Sequence, residues 1–173
     1  MKEIFSIRGL DIFQKNFQQV VLRSKGGDKF KEIINKETSL LPPSSNLTIT
    51  SNDSFLFAKH SFDQWNLFYL EEKKHQDVLK FVSTVNSDEE ILASDYSYGQ
   101  VYFEISGEKS SYYLNKLTHF DLREKKFPIS TMAQTLIAKI DCSIYHLKDK
   151  YLITCNSSFE SYFRERLLDA VNL

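Results

Sequence analysis

The sequence predicts an α+β protein of two repeated halves, each running strand, helix, strands, helix, with antiparallel sheets covered by helices. An internal repeat relates the two parts of the chain, and β-branched runs alternate with helical stripes. Hydrophobic residues make up 42% of the 173, enough for a packed core. The predicted domain covers residues 18–173, in halves at about 18–90 and 91–173, and residues 1–17 form an N-terminal arm outside the repeat.

The repeat has an offset of 80 residues in its first part. Residues Gly27, Lys29, Asn35, Lys36 and Thr38 return unchanged as Gly107, Lys109, Asn115, Lys116 and Thr118. Further on, the run from His60 to Trp65 matches the run from His146 to Tyr151 at an offset of 86. The second copy therefore carries a six-residue insertion, placed after Thr118. The alternative is coincidence in a chain rich in Lys and Asn.

In the first half, the β-branched run 19–23 predicts a strand that Gly26 and Gly27 end. Asp28 is the expected N-cap of a helix with Phe30, Ile33 and Ile34 on its apolar face. A pair of prolines at 42–43 ends that unit. Three further strands are predicted, at 47–50, 55–59 and 64–70. A helix follows a charged cap at 71–74, with an apolar stripe of residues 78, 79, 81, 82 and 85.

The second half repeats this plan. Its predicted elements are a strand at 102–105, a helical stripe at 110–117, strands at 133–140, 142–147 and 151–155, and a last helix opened by a capping box of Ser157 and Glu160. A two-residue loop, Lys148-Asp149, would place Cys142 opposite Cys155 on the apolar face of a hairpin. Both cysteines are expected to be buried and free.

Composition excludes several classes of function. The 22 Lys and Arg nearly balance the 23 Asp and Glu, and the pI is about 6.4, which argues against a nucleic-acid partner. No apolar run approaches the roughly 18 residues that cross a bilayer, so no membrane association is expected. Because the N-terminus has no apolar h-region, a cytoplasmic location is predicted.

Candidate catalytic and metal-binding residues are few. His60 and His146 each precede an Asp by three residues, so a metal site of two His and two Asp is one hypothesis and solvated turn residues the favoured one. His75 is expected to begin a helix and His119 to end one. Asp95 is either a functional carboxylate or, as favoured, an Asx turn. The sequence predicts no catalytic, cofactor-binding or metal-binding residue in this chain.

Several runs carry a resemblance to a known family. Residues 94–107 (SDYSYGQVYFEISG) and 113–122 (YLNKLTHFDL) resemble the folate-binding domain of the glycine-cleavage aminomethyltransferase and its relatives. Phe127-Pro128, 133–140 (AQTLIAKI), 158–162 (SFESY) and 62–67 (FDQWNL) resemble the gamma subunit of heterotetrameric sarcosine oxidase. The resemblance covers about residues 18–173, and none of these runs is a catalytic signature.

The resemblance implies a non-catalytic assembly subunit. The complex would demethylate sarcosine oxidatively to glycine and pass the one-carbon unit to tetrahydrofolate. FAD, FMN, NAD, tetrahydrofolate and zinc would belong to other subunits, and this chain would dock on the alpha subunit, with beta and delta completing the complex. The aromatic N-terminal arm, with Phe5, Leu10, Phe13 and Phe17, is the first candidate for the docking surface.

One departure from the relatives argues against a folate site here. Where the aminomethyltransferases carry two glycines and a pair of Asp residues, this chain has Ala138-Lys139-Ile140-Asp141. Close approach of backbone to a ligand favours glycine, and both glycines are replaced. The alternative function is a stand-alone folate-binding protein of the same fold in one-carbon or iron–sulfur metabolism.

Overall fold

A computed structural model describes residues 2–71 and 75–172, and its contacts divide the chain into two compact units. The continuous unit comprises residues 17–97. The discontinuous unit comprises residues 1–16 and 98–173. No helix in the described part of the chain is both long and apolar enough to span a membrane.

The elements follow one another along the chain as short strands and a few helices. Residues before the continuous unit form β1 (Lys2–Ile7) and β2 (Leu10–Lys15). The continuous unit contains β3 (Gln18–Arg23), α1 (Asp28–Thr38), β4 (Ile49–Ser51), β5 (Phe55–Lys59), β6 (Gln64–Tyr69), α2 (His75–Val85) and β7 (Leu92–Asp95). The remainder forms β8 (Gln100–Ser106), α3 (Ser110–Leu114), β9 (Thr131–Ile137), β10 (Ile140–Leu147), β11 (Lys150–Asn156), a 3₁₀ turn (Ser157–Phe159) and α4 (Glu160–Asn172).

Each unit contains one antiparallel sheet, which confirms the predicted α+β class. The continuous unit orders its strands β4-β5-β6-β3-β7, and the discontinuous unit orders its strands β1-β2-β8-β11-β10-β9. The run β4-β5-β6-β3 has the same order as β9-β10-β11-β8, so the sequence repeat corresponds to a repeat of topology. The matched histidines lie at corresponding places, since His60 directly follows β5 and His146 is the penultimate residue of β10.

The strand that precedes each repeat along the chain pairs in the sheet of the other unit. Along the chain β2 precedes β3, yet it pairs with β8 from Asp11–Ser106 to Lys15–Tyr102. In the same way β7 precedes β8, yet it pairs with β3 from Val20–Asp95 to Arg23–Leu92. The sheet of the discontinuous unit is therefore extended by β2, which directly precedes the first repeat along the chain. The sheet of the continuous unit is extended by β7, which directly precedes the second repeat.

The expected N-terminal arm is instead part of a sheet. Residues 2–15 form the β1–β2 hairpin, joined by the two-residue loop Arg8-Gly9, and Leu10 and Ile12 are fully buried in the core. Apolar residues alternate along β2, and this face packs with the residues of β8. The arm cannot be removed as a docking appendage, because its deletion would uncover the core of the discontinuous unit.

The core of the continuous unit is built around aromatic rings. Phe30 of α1 packs on Trp65 of β6 with ring centroids 4.7 Å apart and on Phe57 of β5 at 6.4 Å. The Trp65 indole N–H donates to the Pro43 carbonyl at 3.1 Å, which satisfies its polar atom inside the core. Helix α2 buries Val78, Phe81 and Val85, three residues of its predicted apolar stripe. Burial of each large side chain stabilises the unit by about 1.5–3 kcal/mol.

The core of the discontinuous unit confirms the predicted hairpin. Cys142 pairs with Cys155 and Ile144 with Ile153 across β10 and β11, the register that the two-residue loop at 148–149 requires. Both cysteines are buried and free. Helix α4 covers this face with Phe163 and Leu167, as the apolar spacing predicted.

Several element boundaries in the second half differ from the sequence prediction. The expected strand 133–140 is two strands, because Ala138 and Lys139 have φ of 53° and 66° and form a tight turn. Helix α3 ends at Leu114, three residues before the end of its predicted stripe. The N-cap of the last helical segment is Asn156, whose side chain accepts a hydrogen bond from the Ser158 N–H at 3.0 Å. The prediction of a capping box formed by Ser157 and Glu160 is therefore wrong.

The start of α1 also differs from the prediction. Gly27 is the N-cap and Asp28 is the first helical residue. An acidic side chain in the first turn still interacts favourably with the helix dipole.

Candidate functional site

His60, the first candidate ligand, is a buried side chain beside β6. The Asn66 side-chain amide donates to His60 Nε2, with 3.0 Å between the two nitrogens. Burial lowers the pKa of His60 to about 4, so its imidazole is neutral at pH 7. The expectation of a solvated turn residue is therefore wrong, because the turn after β5 tucks this ring into the protein.

His146, its counterpart in the repeat, is also buried. Its Nδ1–H donates to the Phe127 carbonyl at 2.6 Å, and its ring stacks on Phe127 and Tyr151 with centroids 5.4 and 4.6 Å away. The Tyr151 hydroxyl donates to the Leu122 carbonyl at 3.0 Å. These bonds hold the segment before β9 against β10 and β11, which is a structural role that the sequence did not indicate.

The metal hypothesis finds no support in the geometry. Within residues 2–71 and 75–172, no three or more His, Cys, Asp or Glu side chains are grouped so that they could hold a metal ion. His60 and His146 belong to different units. The hypothesis required both histidines in one site, and each has a hydrogen-bonding role within its own unit.

Asp95 forms the Asx turn that the sequence favoured. Its Oδ1 accepts from the Ser97 N–H at 3.0 Å and from the Ser97 hydroxyl at 2.6 Å. Its Oδ2 lies 3.4 Å from Nδ1 of His75, which begins α2 as predicted. His119 does not end a helix, since α3 stops at Leu114. The carboxylate of Asp95 thus fixes the end of β7.

Among the described residues of the continuous unit, the most exposed large apolar side chain lies in the β5–β6 loop. Phe62 is 78% exposed at the tip of this loop, and Leu92 of β7 is 60% exposed. Both line a shallow groove of about 720 Å³, which we call the Phe62 groove. Isolated exposed side chains are common, but a large ring and an aliphatic side chain that share one concave surface are typical of a protein-binding site.

The loop that carries Phe62 is held rigidly. Arg23 Nη1 donates to both carboxylate oxygens of Asp63 at 3.1 and 2.9 Å, and Ser61 Oγ donates to Asp63 Oδ1 at 2.9 Å. Desolvation raises the pKa of Asp63, but the hydrogen bonds from Ser61 and Arg23 outweigh it and the pKa lies below its usual value. The Ser24 N–H also donates to the Asp63 carbonyl. A fixed loop lets Phe62 bind with little loss of conformational entropy.

The opposite wall of the Phe62 groove is acidic. The Asp88 carboxyl is almost fully buried, pairs with the Lys29 ammonium of α1, and accepts from the Glu90 N–H at 2.9 Å. The hydrogen bond from Lys29 lowers the pKa of Asp88. Glu89 and Glu90 are exposed along the same wall. The groove therefore combines apolar side chains with charged side chains of both signs, since Arg23 and Lys25 also line it.

An asparagine side chain closes the edge of the sheet behind this groove. Asn86 Oδ1 accepts from the Ala93 N–H at 2.6 Å, and Asn86 Nδ2 donates to the Ala93 carbonyl at 2.9 Å. It satisfies both backbone groups of a residue in the outermost strand β7, as a neighbouring strand would. This pairing orients Leu92 and the loop before it.

Sequence reasoning missed this surface. Phe62 belongs to a repeat run and to a family run, and neither indicates its exposure. An apolar ring between Ser61 and Asp63 in a loop is nevertheless itself a signal of an interaction site. Leu92 carried no such signal, because its exposure depends on the exchange of β7 into the sheet of the continuous unit.

Comparisons with known proteins show which family the chain belongs to. The model of the sarcosine oxidase gamma subunit family matches residues 46–172, which is most of the chain. The chain belongs to the sarcosine oxidase gamma subunit family. The matched range of this gamma-family chain includes the Phe62 groove, apart from its Arg23–Lys25 side, and both buried histidines.

Solved structures show the same fold for this gamma-family chain. It is similar to a chain of the heterotetrameric sarcosine oxidase from Corynebacterium sp. U-96 in complex with pyrrole 2-carboxylate, with a TM-score of 0.82, 18% identity, and coverage of 98% of this chain and 87% of that chain. The glycine cleavage system aminomethyltransferase T from Bartonella henselae is also similar, with a TM-score of 0.65 and 12% identity over 93% of this chain. This alignment spans 46% of the aminomethyltransferase. The sequence comparison with curated proteins finds no match.

Proposed function

We propose that this chain is a non-catalytic assembly subunit of a heterotetrameric sarcosine oxidase and binds the large alpha subunit through the Phe62 groove. The family match over residues 46–172 is the observation that carries the proposal. The complex would demethylate sarcosine to glycine in the cytoplasm, with beta and delta as its further subunits. FAD, FMN, NAD, tetrahydrofolate and zinc would be bound by chains other than this one.

The engagement of the candidate catalytic residues supports a non-catalytic role. His60 is bound to Asn66, His146 to the Phe127 backbone, and Asp95 to Ser97. A general base must reach a proton on its substrate, and both histidine side chains are buried. These three side chains instead use their polar atoms to hold turns and strands in place.

The shape of the Phe62 groove supports its role in assembly. Phe62 and Leu92 offer apolar area in the groove, and the charged side chains of Arg23, Asp63 and Glu90 line it as well. An apolar centre inside a polar rim is the usual anatomy of a protein–protein interface. The rigid loop of Phe62 gives the surface a preformed anchor of the kind that dominates binding energy.

Co-purification tests the proposal. An affinity tag on this chain, co-expressed with the alpha, beta and delta subunits, is expected to recover a yellow complex with flavin absorbance. A double variant, Phe62→Ser with Leu92→Ser, should lower the recovered flavin on the order of ten-fold. Leu41→Ser is the matched control, since Leu41 is 63% exposed in the same unit but lies outside the groove.

Three outcomes would contradict the proposal. Recovery of the wild-type chain as a colourless monomer that binds folate would support the stand-alone function instead. Equal loss of flavin with Leu41→Ser would remove the assignment of the interface to the Phe62 groove. Oxidation of sarcosine by the purified chain alone would show that it is catalytic.

A further inference from the structure

A second groove, on the discontinuous unit, has an unusual charge. It lies between the 115–119 turn, the β9–β10 turn and α4, and encloses about 550 Å³. Three cationic side chains and one imidazole line it, and none of its lining residues is Asp or Glu: Lys116, His119, Lys139 and Arg166. The whole chain has a net charge of −1, so this basic groove is a local concentration of positive charge.

Two of the cations are fixed by their surroundings. Lys116 Nζ donates to the Ala170 carbonyl in the last turn of α4 at 3.0 Å, and lies 5.1 and 4.6 Å from the ring centroids of Tyr112 and Tyr113. Arg166 lies 5.4 Å from the ring centroid of Tyr162. Contacts with carbonyls at a helix C-terminus and with aromatic faces stabilise the positive charge.

The charge of the groove is only partly neutralised within the described residues. Asp169, on the same helix, pairs with Arg166 Nη2 at 2.7 Å. Arg166 Nε is buried and has no hydrogen-bond partner in the part of the chain that the structure describes. Lys139 is exposed on the tight turn between β9 and β10. No ion pair of this lysine is found within residues 2–71 and 75–172.

Apolar side chains share the basic groove with the cations. Leu136 is 54% exposed and Tyr162 is 44% exposed, and both line it. A small anion would use the cations and leave these two side chains in water. A polypeptide that alternates carboxylates with apolar side chains would use both, since alternate side chains of an extended segment point to opposite sides.

We propose that the basic groove binds an acidic segment of a partner polypeptide, with its carboxylates on Lys116, Lys139 and Arg166 and its apolar side chains on Leu136 and Tyr162. The identification of the partner as another subunit of the oxidase rests on the proposed function. The binding of an acidic peptide does not, because the basic groove and the Phe62 groove lie in different units.

Peptide binding to the purified full chain tests the proposal. The probe is a fluorescent twelve-residue peptide of alternating Glu and Leu, compared with a Gln–Leu peptide of equal length. Anisotropy should show binding of the Glu peptide at least ten-fold tighter than that of the Gln peptide, with a loss of affinity as salt rises. A triple variant, Lys116→Gln with Lys139→Gln and Arg166→Gln, should weaken Glu-peptide binding at least ten-fold.

A matched triple variant separates the groove from overall charge. The variant Lys36→Gln with Lys80→Gln and Lys148→Gln also removes three positive charges, but at residues that do not line the basic groove. It should bind the Glu peptide as the wild type does. Lys139→Glu alone gives a test without risk to folding, because this side chain is exposed on a turn.

The outcomes that overturn the proposal are distinct. Equal loss in both triple variants would make the binding a property of net charge. Displacement of the peptide by millimolar inorganic phosphate, or equal affinity for a single-stranded RNA of the same charge, would assign the groove to other anions. Phe62→Ser should leave peptide binding unchanged, so failure of assembly through the Phe62 groove is read separately.

Discussion

The backbone of Gly107 packs directly on the carbonyl group of Gly9. A Cβ atom added to Gly107 would lie 2.4 Å from the Gly9 oxygen and 2.6 Å from its carbon, both immovable backbone atoms. Gly107 also has a φ of 105°, which residues with a side chain rarely adopt. This contact joins the β1–β2 loop to the end of β8, where the Lys109 N–H donates to the Gly9 carbonyl at 3.0 Å.

Replacement of Gly107 by Ala is expected to destabilise the chain. The free energy of unfolding should fall by about 2 kcal/mol or more, because strain at positive φ adds to the clash with Gly9. Chemical denaturation measures the change. Gly27→Ala is the matched control, because Gly27 is the counterpart of Gly107 in the repeat and nothing lies within 4 Å of its added Cβ. Because Gly27 is the N-cap of α1, its replacement should cost about 1 kcal/mol or less. Equal effects of the two substitutions would contradict the argument.

The opposed cysteines are expected to react slowly. The hydrogen bond with Cys155, together with burial, raises the pKa of Cys142, so its reactive thiolate is scarce at pH 7. The same hydrogen bond lowers the pKa of Cys155, so slow reaction of Cys155 depends on its burial. Titration with a thiol reagent should label both cysteines at once in denaturant and, in the native protein, on the order of ten-fold or more slowly. Fast native labelling would contradict burial. No labelling in denaturant without reductant would show a disulfide.

The tight turn at Ala138-Lys139 offers a stabilising substitution. Both residues have positive φ without being glycine, and two-residue hairpin turns favour Gly in this conformation. Lys139→Gly should raise the free energy of unfolding by about 1 kcal/mol or less, because relief of strain at positive φ outweighs the entropy cost of Gly. Thermal denaturation reads the change. Gln134→Gly in the adjoining strand should lower stability by about 0.5–1 kcal/mol, and a loss with Lys139→Gly would show that the turn is not strained.

His60 is expected to make stability depend on pH. Its pKa in the folded chain is about 4, below the ordinary 6.5, so the unfolded chain binds a proton first as the pH falls. The contribution is fully present above pH 6.5 and is lost between 6.5 and 4, by about 3 kcal/mol in total. Comparison with His60→Gln across this range isolates it from the carboxylates. Parallel curves for the two proteins would contradict the lowered pKa, which NMR titration can also measure.

The sequence predicts best what is determined locally. The β10–β11 hairpin was predicted in its register, because a two-residue loop and alternating apolar residues fix which side chains oppose each other. The apolar stripe of α4 follows from helical spacing in the same way. Short runs also predict the family, and the match of the family model to residues 46–172 confirms it.

Features that depend on distant partners were missed. The β1–β2 hairpin had a local signal, the Arg8-Gly9 loop between alternating apolar residues, but its place in the core depends on β8. His146 is buried because Phe127 and its neighbours fold over it, which no local pattern indicates. Exposure of Leu92 likewise follows from the pairing of β7 with β3.

The exchanged strands give the chain a definite order of folding during synthesis. Every strand of the continuous unit is complete once β7 has left the ribosome, whereas β2, made before that unit, waits for β8, about 85 residues later. At cellular rates of translation this delay lasts roughly 5–15 s. During it the apolar side chains of Leu10 and Ile12 lack their sheet, so the nascent N-terminus is the segment that chaperones have most time to bind.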